Sequence, residues 1–440
     1  MKKEGLKILI VGGGGREHAL AWKIRQSPRV TRVYCMPGNP GIAEVAKCVP
    51  ARSVAPDSLK ASAGSSSVSA IAGWAASNEI DLTVVGPEAP LVEGIVDEFE
   101  RQGLAIFGPT AKAAEIEGSK VFAKDFMRKY GIPTAAYGVF EDPDRAEAFI
   151  RENGAPVVVK ADGLAAGKGV TVASSVDDAV RATRDILSGA FGQAGHRVVI
   201  EEFLEGEEVS VLAFSDGKNV KAMPAAQDHK RALDGDCGPN TGGMGTYSPV
   251  PAYTPEIERC VLDEILRPTV AGMAAEGRPF KGVLFAGLML TARGPKVLEF
   301  NARFGDPETQ SVLRRMETDL VEVLGAVVEG RLDDQPIKWK NQAAACIVLA
   351  SGGYPGSYQK GKPIDGLAEA SVLPGVQVFH AGTAFAGGGV VTSGGRVLGV
   401  SAVGEDVREA QGRAYEAIGR IKFEGMQFRR DIGYRALRGG

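Results

Sequence analysis

The 440-residue sequence is poor in cysteine and has no long apolar run. Its cysteines are Cys35, Cys48, Cys237, Cys260 and Cys346. They are odd in number, widely spaced and form no C-x-x-C pair, which indicates a reducing compartment and argues against a structural zinc site. No stretch approaches about 18 uninterrupted apolar residues, so we expect no transmembrane helix. The short apolar run before the first glycines resembles a β-strand more than a signal peptide.

The sequence also lacks an excess of one charge. It has 51 Lys and Arg against 54 Asp and Glu, so neither nucleic acid nor an anionic membrane is indicated as a partner. Its 58 glycines follow no three-residue period and its prolines number 24, which excludes a collagen-like chain. A hydrophobic fraction of 44% and a charged fraction of 24% are typical of globular proteins. We therefore expect a cytoplasmic protein of about three domains.

Short apolar runs alternate with helical patterns through the N-terminal quarter of the chain. The runs end at glycine or proline and lie at residues 7–11, 33–36, 82–85 and 104–107. Amphipathic stretches separate them, and residues 91–102 are predicted as one helix. This alternation predicts a parallel sheet with helices on both faces, an α/β fold.

The middle of the chain has a different pattern. A helix is predicted over residues 119–130, with Ser119 as its N-cap. Two strands at residues 283–291 and 296–301, joined by a short turn, predict a hairpin. A helix over residues 308–329 is predicted to close this region, and the sequence beyond it is strand-like and rich in turns. The pattern is that of an α+β region.

A tetraglycine follows the first predicted strand but does not complete a dinucleotide fingerprint. Glu17 or His18 stands where the third glycine of that fingerprint should be. Glycines 12–15 would still let backbone N–H groups and a helix N-terminus face an anion. A phosphate-bearing ligand and a tight turn without a ligand both remain open.

A second glycine-rich loop, residues 160–169, is not a P-loop. Its glycines are one residue too close together, and Gly169 replaces the Ser or Thr that would hold magnesium. A hairpin flanked by Lys160 and Lys168 suits a lid over a triphosphate. Lys160 ends an apolar strand, where a cation without a partner is costly, and this favours the lid over a solvated surface hairpin.

Two polar clusters come later in the chain. Residues 227–231 and the glycine loop 238–245 cannot pack a core and are too long for a turn, so they are interpreted as a substrate-binding loop. Strand alternation places Glu299, Asn301 and Arg303 on one face. The first two suit Mg²⁺ that bridges phosphates, and the third would hold anionic charge. An exposed polar strand edge is the alternative, but it does not explain the Phe-Gly-Asp-Pro turn that follows.

Together these motifs resemble the ATP-grasp superfamily and, within it, the phosphoribosylamine–glycine ligase (glycinamide ribonucleotide synthetase) family. The resemblance covers nearly the whole chain through the segments GGGGREHALAWK, PGNPG, DLTVVGPEAPLV, IFGPT, EGSK, VVVKADGLAAGKGV, VIEEFLEGEEVS, QDHKR, GPNTGGMG, VLEFNARFGDPETQ, SGGYPG, FHAGT and RRDIGYRA. It implies an N-terminal Rossmann-like domain at residues 1–106, an ATP-grasp domain at 107–330 with a mobile lid subdomain near 122–192, and a small C-terminal α+β domain at 331–440. The serine-rich stretch 51–70 looks longer than is usual in the family.

The resemblance also implies site residues. ATP would be bound by Lys120, Lys160, Gly163, Gly167, Lys168 and Gly169 at the phosphates, by Glu201, Phe203 and Leu204 at the adenine, and by Glu208 at the ribose. Glu299 and Asn301 would hold Mg²⁺ or Mn²⁺, with no acidic ligand from residues 286–290. The other substrates would be bound by Gly13, Gly14, Pro37, Gly38, Asn39, Gly86, Pro87, Glu88, Asp228, Lys230, Asn240, Gly243, Arg303 and Asp306. The catalytic residues would be Arg303, Lys160 and Lys230.

The reaction implied by the resemblance is the MgATP-driven ligation of glycine to 5-phosphoribosylamine through glycyl phosphate, the second step of de novo purine biosynthesis. Such a reaction depends on positioning and charge stabilisation, and the sequence offers no evident Ser-His-Asp or Cys-His set. The partners would be small molecules, without nucleic acid or membrane, and the protein a monomer or weak dimer. His18 is interpreted as capping or packing near the first helix, and His229 as the better site candidate, for substrate binding and not for proton transfer.

Three other interpretations stay open at this point. A different ATP-grasp ligase would share the nucleotide-binding residues but should lack QDHKR and GPNTGGMG in this arrangement. A nicotinamide-dependent oxidoreductase is suggested by glycines 12–15 and opposed by the broken fingerprint. A non-catalytic nucleotide-binding protein is opposed by the joint presence of Lys160, Glu299, Asn301 and Arg303.

Overall fold

The N-terminal part of the chain folds into a parallel sheet flanked by helices. The computed structural model describes residues 4–50, 68–163, 169–190 and 192–438. The first elements are β1 (Leu6–Gly12), α1 (Gly15–Ile24), β2 (Val30–Pro37), β3 (Lys47–Cys48), α2 (Val68–Ser77), β4 (Leu82–Val85), α3 (Glu88–Val92), α4 (Ile95–Arg101), β5 (Ile106–Phe107) and α5 (Ala111–Gly118). Among these residues the strand order is β3-β2-β1-β4-β5 and every pair is parallel. The predicted α/β domain is confirmed. Most of the serine-rich stretch, residues 51–67, lies outside the described residues.

In its described residues the middle of the chain contains two four-stranded antiparallel sheets and a two-stranded antiparallel hairpin at residues 231–240. Its elements are α6 (Lys120–Lys129), β6 (Tyr137–Phe140), α7 (Pro143–Asn153), β7 (Val157–Ala161), β8 (Val170–Ala173), α8 (Val176–Asp185), β9 (Val198–Glu202), β10 (Glu207–Asp216), β11 (Val220–Ala222), β12 (Gln227–Asp228), β13 (Arg231–Leu233), β14 (Cys237–Asn240), β15 (Gly245–Ser248), α9 (Pro255–Val261), α10 (Arg267–Ala275), β16 (Lys281–Thr291), β17 (Gly294–Asn301), α11 (Glu308–Arg315) and α12 (Leu320–Val328). In the described part of the chain the first antiparallel sheet has the order β6-β9-β7-β8 and the second β11-β10-β16-β17. The β16–β17 hairpin is the predicted one. Ser119 caps α6 as expected, because its Oγ accepts the N–H of Phe122 at 3.1 Å.

Two segments predicted as single helices are each two helices. Residues 91–102 are divided between α3 and α4, because Gly94 has a φ of 86° and interrupts the helix in the left-handed region. Residues 308–329 are divided between α11 and α12. There Asp319 accepts the N–H of Val321 at 2.9 Å and so caps a new helix.

The first antiparallel sheet has a hydrophobic core of its own. Val159 and Ile200 from the sheet lie in one buried cluster with Ile150 of α7 and Ala179 of α8. A separate core is what a subdomain that moves as a unit requires. The mobility of this lid and its limits at residues 122–192 stay predictions.

The last part of the chain builds a sheet that includes strands from the middle region. Its elements are β18 (Ala343–Ala350), α13 (Leu367–Ser371), β19 (Val376–His380), β20 (Thr383–Ala386), β21 (Gly389–Thr392), β22 (Arg396–Gly404), α14 (Val407–Ile418) and α15 (Tyr434–Arg438). Among the described residues the strand order is β12-β15-β18-β22-β19, with antiparallel pairs. Residues 229–244 join β12 to β15, so this loop, which contains most of the predicted substrate-binding segments 227–231 and 238–245, begins and ends on this sheet. The domain boundary at residue 330 stays a prediction. No helix in the described ranges is long and apolar enough to cross a membrane.

Candidate active site

A buried ion triad, Lys124–Glu201–Lys160, lies where α6 meets the first antiparallel sheet. Nζ of Lys160 on β7 and Nζ of Lys124 on α6 each lie 2.8 Å from a carboxylate oxygen of Glu201, which is 2% exposed. Lys160 also donates to the main-chain oxygen of Leu298 at 3.1 Å. Burial lowers the pKa of Lys124 to about 8, although Glu201 opposes this shift. The expectation that Lys160 has no partner within the protein is wrong, because Glu201, which was expected at the adenine, pairs with it. Lys124 is a residue that the sequence analysis missed.

The link between the two antiparallel sheets contains the residues predicted to bind adenine. Phe203 is 39% exposed and Leu204 is 7% exposed, and both lie between β9 and β10. The side chain of Glu201 already pairs with Lys124 and Lys160, so the predicted contact with the adenine falls to its main chain. Binding of a base at this link stays a prediction.

Asp162 connects the start of α6 to the end of β7. Its Oδ1 accepts hydrogen bonds from Ser119 Oγ at 2.9 Å and from the N–H of Val121 at 2.8 Å. Its Oδ2 accepts from Nε of Arg197 at 2.9 Å. The sequence analysis quoted Asp162 within the glycine-rich loop but gave it no role. Its position two residues after Lys160 was the available signal.

Lys120 lies at the mouth of the predicted lid loop. Its Nζ donates to the main-chain oxygen of Gly163 at 3.1 Å, and the lysine follows the N-cap of α6. At the other end of the loop the main-chain oxygen of Gly169 accepts an N–H from β7 at 2.8 Å. Gly167 and Lys168, also predicted to contact the phosphates, lie outside the described residues.

Lys230 joins two carboxylates beside the second antiparallel sheet. Its Nζ contacts Oε1 of Glu208 and lies 3.9 Å from Oε1 of Glu299. Burial disfavours the charge of Lys230, but these carboxylates outweigh burial and raise its pKa above the ordinary value. Burial also disfavours the ionised form of Glu299, yet Lys230, Lys160 and Lys120 together lower its pKa. Glu299 is thus an ionised carboxylate surrounded by cations from three segments of the chain.

Glu299 and Asn301 suit a magnesium or manganese ion that is held mainly by phosphate. They are two residues apart on β17 and so lie on one face of it. The residue opposite Glu299 on β16 is Gly287, so that strand adds no acidic ligand there, as expected. Among the described residues no group of three or more His, Cys, Asp or Glu is arranged to hold a metal. Mg²⁺ at nucleotide sites usually takes one or two carboxylates and completes its shell with phosphate and water, and this donor set fits that pattern.

Arg303 lies between two carboxylates from different segments. Its Nε donates to Oε2 of Glu88 at 3.0 Å, and its Nη2 lies 3.0 Å from Oε1 of Glu117. Burial raises the pKa of Glu117. Burial acts the same way on Glu88, but Arg303 and Arg16 outweigh it and lower the pKa of that carboxyl. The structure brings together Arg303 and Glu88, both predicted on the substrate side, and adds Glu117, which the sequence analysis missed.

The glycine-rich turn after β1 binds carboxylates of the protein itself. The N–H of Gly14 is donated to Oε2 of Glu17, and the N–H of Arg16 to Oδ2 of Asp306 at 3.2 Å. Glu17 is 2% exposed. Two amides at the start of α1 therefore already have acceptors. The physical argument for a phosphate at Gly13 and Gly14 is weaker than the sequence suggested.

Gly86→Ala is expected to destabilise the protein by about 1–3 kcal/mol. A Cβ on Gly86 would overlap Oε1 of Glu17, which is buried and so has no solvent into which it can move. Gly73→Ala is the matched control, because a Cβ there has nothing within 4 Å and the residue lies inside α2. This control should stabilise the protein by up to about 1 kcal/mol. Urea unfolding measures both changes, and a Gly86→Ala variant as stable as wild type would contradict the packing described.

Asn39 uses its side chain to fasten the turn 37–39, which contains the predicted site residues Pro37 and Gly38. Its Nδ2 donates to the main-chain oxygens of Gly13 at 2.9 Å and His380 at 2.8 Å. The turn therefore contacts the glycine-rich loop, as expected of two parts of one site. The amide of Asn39 also holds the N-terminal domain to β19, a contact that the sequence did not indicate.

Arg396 connects Asp306 to the loop 229–244. Its Nη1 donates to the main-chain oxygen of Asp306 at 2.7 Å and to a main-chain oxygen of the loop. Burial would raise the pKa of Asp306, but Arg396 and the arginine at the start of α1 outweigh burial and lower it. Gly243, with a φ of 110°, packs so closely on Asp228 that a Cβ would lie 2.6 Å from its Oδ1. Asn240 lies further out, at the end of β14 opposite β13.

Two histidines considered as site residues are buried and bound to the main chain. Nδ1 of His18 accepts the N–H of His380 at 2.8 Å, so His18 packs against β19. Nδ1 of His229 donates to the main-chain oxygen of Gly245 at 3.1 Å, and its Nε2 accepts the N–H of Gly433 at 3.2 Å. His18 lies within α1 itself, neither capping that helix nor packing beside it from outside. Both ring nitrogens of His229 have main-chain partners, which gives it a structural role.

Stability is expected to fall as the pH drops below 6.5. Burial lowers the pKa of His18 to about 3 and those of His229 and His380 to about 4. An unfolded histidine takes up a proton near pH 6.5 and the folded one does not, so this stabilisation is complete above pH 6.5 and is lost as the pH falls toward 4. At about pH 5 each of these histidines should lower the free energy of unfolding by about 2 kcal/mol. Thermal unfolding between about pH 7.5 and about pH 5 measures the effect. His229→Asn should reduce the fall in stability by about one third, because two of the three buried histidines remain, and a flat wild-type profile would contradict the prediction.

Three family models match the chain in succession. They are described as Phosphoribosylglycinamide synthetase, N domain, over residues 6–117, Phosphoribosylglycinamide synthetase, ATP-grasp (A) domain, over residues 118–309, and Phosphoribosylglycinamide synthetase, C domain, over residues 344–435.

Relatives of known name match the chain over nearly its full length. It is 55% identical over 434 residues to the phosphoribosylamine–glycine ligase of Pseudomonas aeruginosa, covering 98% of each chain. It is 52% identical over 435 residues to that of Escherichia coli O6:H1, covering 98% of this chain and 99% of the relative. The crystal structure of the phosphoribosylamine–glycine ligase of Thermotoga maritima is similar with a TM-score of 0.81 and 35% identity, over 97% and 100% of the two chains. A biotin carboxylase of Campylobacter jejuni, with a TM-score of 0.71 and 15% identity over 96% and 92% of the chains, shares the fold. The chain belongs to the phosphoribosylglycinamide synthetase family of ATP-grasp ligases.

Proposed function

We propose that this protein uses ATP to join glycine to 5-phosphoribosylamine, giving glycinamide ribonucleotide, ADP and phosphate. The observation that carries the proposal is the surroundings of Glu299, whose pKa is lowered by Lys230, Lys160 and Lys120 from three segments of the chain. Such a group of cations around a hard oxygen ligand suits the polyphosphate of ATP. Full-length similarity to phosphoribosylamine–glycine ligases supports glycine and 5-phosphoribosylamine as the substrates.

ATP is placed between the two antiparallel sheets. Lys120 and Lys160 bind its phosphates. Phe203, Leu204 and the main chain of Glu201 contact the adenine. Glu208 is the predicted ribose ligand and already pairs with Lys230, so binding of the ribose there changes the partners of that lysine.

Glu299 and Asn301 hold Mg²⁺ or Mn²⁺ in this proposal. Bound by these two residues, such an ion would supply positive charge to the phosphates. Arg303 and Lys230 supply further positive charge. Glu88 and Glu117 hold Arg303, and Glu208 holds Lys230. The protein therefore contributes fixed charges in a partly buried site, which is the principal means by which enzymes accelerate phosphoryl transfer.

The chemistry has two steps and needs no protein nucleophile. A carboxylate oxygen of glycine attacks the γ-phosphorus of ATP, the bond to the β-phosphate oxygen breaks, and ADP leaves. The amine of 5-phosphoribosylamine then attacks the acyl carbon of glycyl phosphate and loses a proton. The acyl C–O bond breaks and phosphate leaves with the oxygen that came from glycine.

The substrate side is placed between the N-terminal loops and the loop 229–244. The predicted residues of the N-terminal loops are Gly13, Gly14, Pro37, Gly38, Asn39, Gly86, Pro87 and Glu88. Those of the middle region are Asp228 on β12, Lys230, Asn240 and Gly243 in the loop, and Arg303 and Asp306 after β17. Contacts that support this placement are those of Arg303 with Glu88 and of Asp306 with the N–H of Arg16. The five free cysteines fit a cytoplasmic location, which we also propose. We propose that the protein is a monomer or a weak dimer.

A coupled ADP-release assay with each substrate omitted in turn tests the function. ADP should form only when ATP, divalent cation, glycine and 5-phosphoribosylamine are all present. Glu299→Gln, assayed beside wild type, should lose this activity and so shows that ADP does not come from a contaminant. An equal rate of ADP release without glycine or without 5-phosphoribosylamine would refute the proposal.

A further inference from the structure

The loop 229–244 carries Lys230 to the two carboxylates of the site. Within the loop the N–H of Thr241 donates to the main-chain oxygen of Lys230 at 2.7 Å, and the N–H of Met244 to that of His229 at 2.9 Å. At the tip of the side chain Nζ contacts Glu208 and lies near Glu299. The position of this cation therefore depends on how the loop itself is held.

Arg429, near the end of the chain, binds the outer hairpin of this loop. Its side chain is fully buried, and its Nε and Nη2 each donate to Asp431 at 2.8 Å. Its Nη1 donates to Oδ1 of Asp236 at 2.8 Å and to the main-chain oxygen of Arg231 at 3.2 Å. One guanidinium thus binds both the residue directly after Lys230 and the tip of the β13–β14 hairpin.

Other groups of the same C-terminal segment bind the same tip. Asp236 accepts hydrogen bonds from the hydroxyl of Tyr434 at 2.6 Å and from Arg435. The N–H of Gly235 donates to Asp431 at 2.8 Å. Asp236 has a φ of 54°, which non-glycine residues seldom adopt, and these bonds hold it there.

We propose that Arg429 is a positioning residue for the ligase reaction. By holding Asp236 and the main chain of Arg231, it sets where Nζ of Lys230 stands relative to Glu299. The inference rests on the proposed function, because it takes Lys230 as a cation that stabilises charge during the reaction. A displacement of a catalytic group by about 1 Å is enough to lower a rate by orders of magnitude.

Arg429→Lys tests the inference, because lysine keeps the charge and loses the planar fork that binds two acceptors. We expect kcat to fall at least about 10-fold with KM for ATP changed less than about 2-fold, because the ATP-side lysines are untouched. In a Lys230→Ala background the same substitution should change kcat less than about 2-fold, because the cation that Arg429 positions is gone. Steady-state ADP release at saturating substrate gives kcat for the four proteins, and its dependence on ATP concentration gives KM for ATP.

Arg413→Lys is the control for the same substitution at a more exposed arginine of the C-terminal part of the chain. Arg413 lies on α14, before Arg429 in the C-terminal part of the chain, and it binds the main-chain oxygen of Val403 at 2.7 Å and Glu409. It should leave kcat unchanged in both backgrounds. If Arg429→Lys fails to fold, Asp236→Asn removes the same contact from the loop side, and its effect must likewise disappear without Lys230.

Three results would overturn the inference. They are an equal fall in kcat in both backgrounds, an unchanged kcat in Arg429→Lys, and an unchanged kcat in Lys230→Ala. Release of ADP by the wild-type protein without glycine would instead refute the proposed function. The two failures are therefore distinguishable.

Discussion

Lys160→Met is expected to weaken ATP binding about 100-fold, or about 2.7 kcal/mol, while glycine binding changes little. The lysine is 6% exposed, so a bond from its ammonium to a phosphate would be poorly screened by water. The variant should fold, because Lys124 still pairs with Glu201 at 2.8 Å. Calorimetric titrations with a non-hydrolysable ATP analogue and with glycine measure the two affinities separately.

Lys129→Met is the control for this variant. Lys129 is also on α6, but its side chain is 62% exposed and it pairs with Glu276 at 2.7 Å. Its replacement should leave both affinities unchanged. An unchanged ATP titration in Lys160→Met would mean that the triphosphate is placed wrongly.

Arg303→Ala is expected to lower turnover about 100-fold, or about 3 kcal/mol of transition-state stabilisation, with ATP affinity nearly intact. The guanidinium lies beside Asn301 and between Glu88 and Glu117, so it contributes charge on the substrate side of the metal ligands. Its loss also leaves Glu117 buried without its cation, which adds a loss of stability that thermal unfolding would show.

Arg278→Ala separates the two effects. Arg278 is 22% exposed, close to the 17% of Arg303, and pairs with Glu115 at 2.6 Å outside the proposed site. It should lose some stability and keep full turnover. Turnover at the wild-type level in Arg303→Ala would remove that residue from the catalytic account.

The elements of the fold that depend only on neighbouring residues could be predicted from local sequence signals. Three features are each determined within a few residues, and the structure has them as predicted. They are the N-cap Ser119, the β16–β17 hairpin, and the strand alternation that puts Glu299 and Asn301 on one face. The broken helix at residues 308–329 belongs in the same class. Asp319 before an apolar run is an N-cap signal that the helical pattern overrode.

Partners far apart in the sequence could not be predicted in this way. The bonds of Glu201 with Lys124 and Lys160 join three elements, and the role of Arg396 depends on sheet pairing between the middle region and the C-terminal strands. No local pattern encodes such pairs, because burial of the charges is decided only when the elements pack. The sequence argument that Lys160 needs a ligand because it has no partner within the protein failed, since its partner Glu201 lies on another strand.

The glycines at the N-terminal loops show the same limit. From the sequence, Gly12 and Gly86 could be interpreted as glycines that leave room for a ligand. In the structure a Cβ on either residue would collide with Glu17. Gly41 similarly packs against His18 and His380. Close approach of backbone to a side chain of the protein and close approach to a ligand require the same residue, so composition alone does not distinguish them.

The most direct test of the account follows the oxygen of glycine. Ligation through glycyl phosphate transfers one carboxylate oxygen to the phosphate that leaves, whatever the order of substrate addition. With glycine labelled with ¹⁸O in both carboxylate positions, mass spectrometry of the inorganic phosphate should find one ¹⁸O per molecule when 5-phosphoribosylamine is present. Unlabelled phosphate formed alongside glycinamide ribonucleotide would contradict the account.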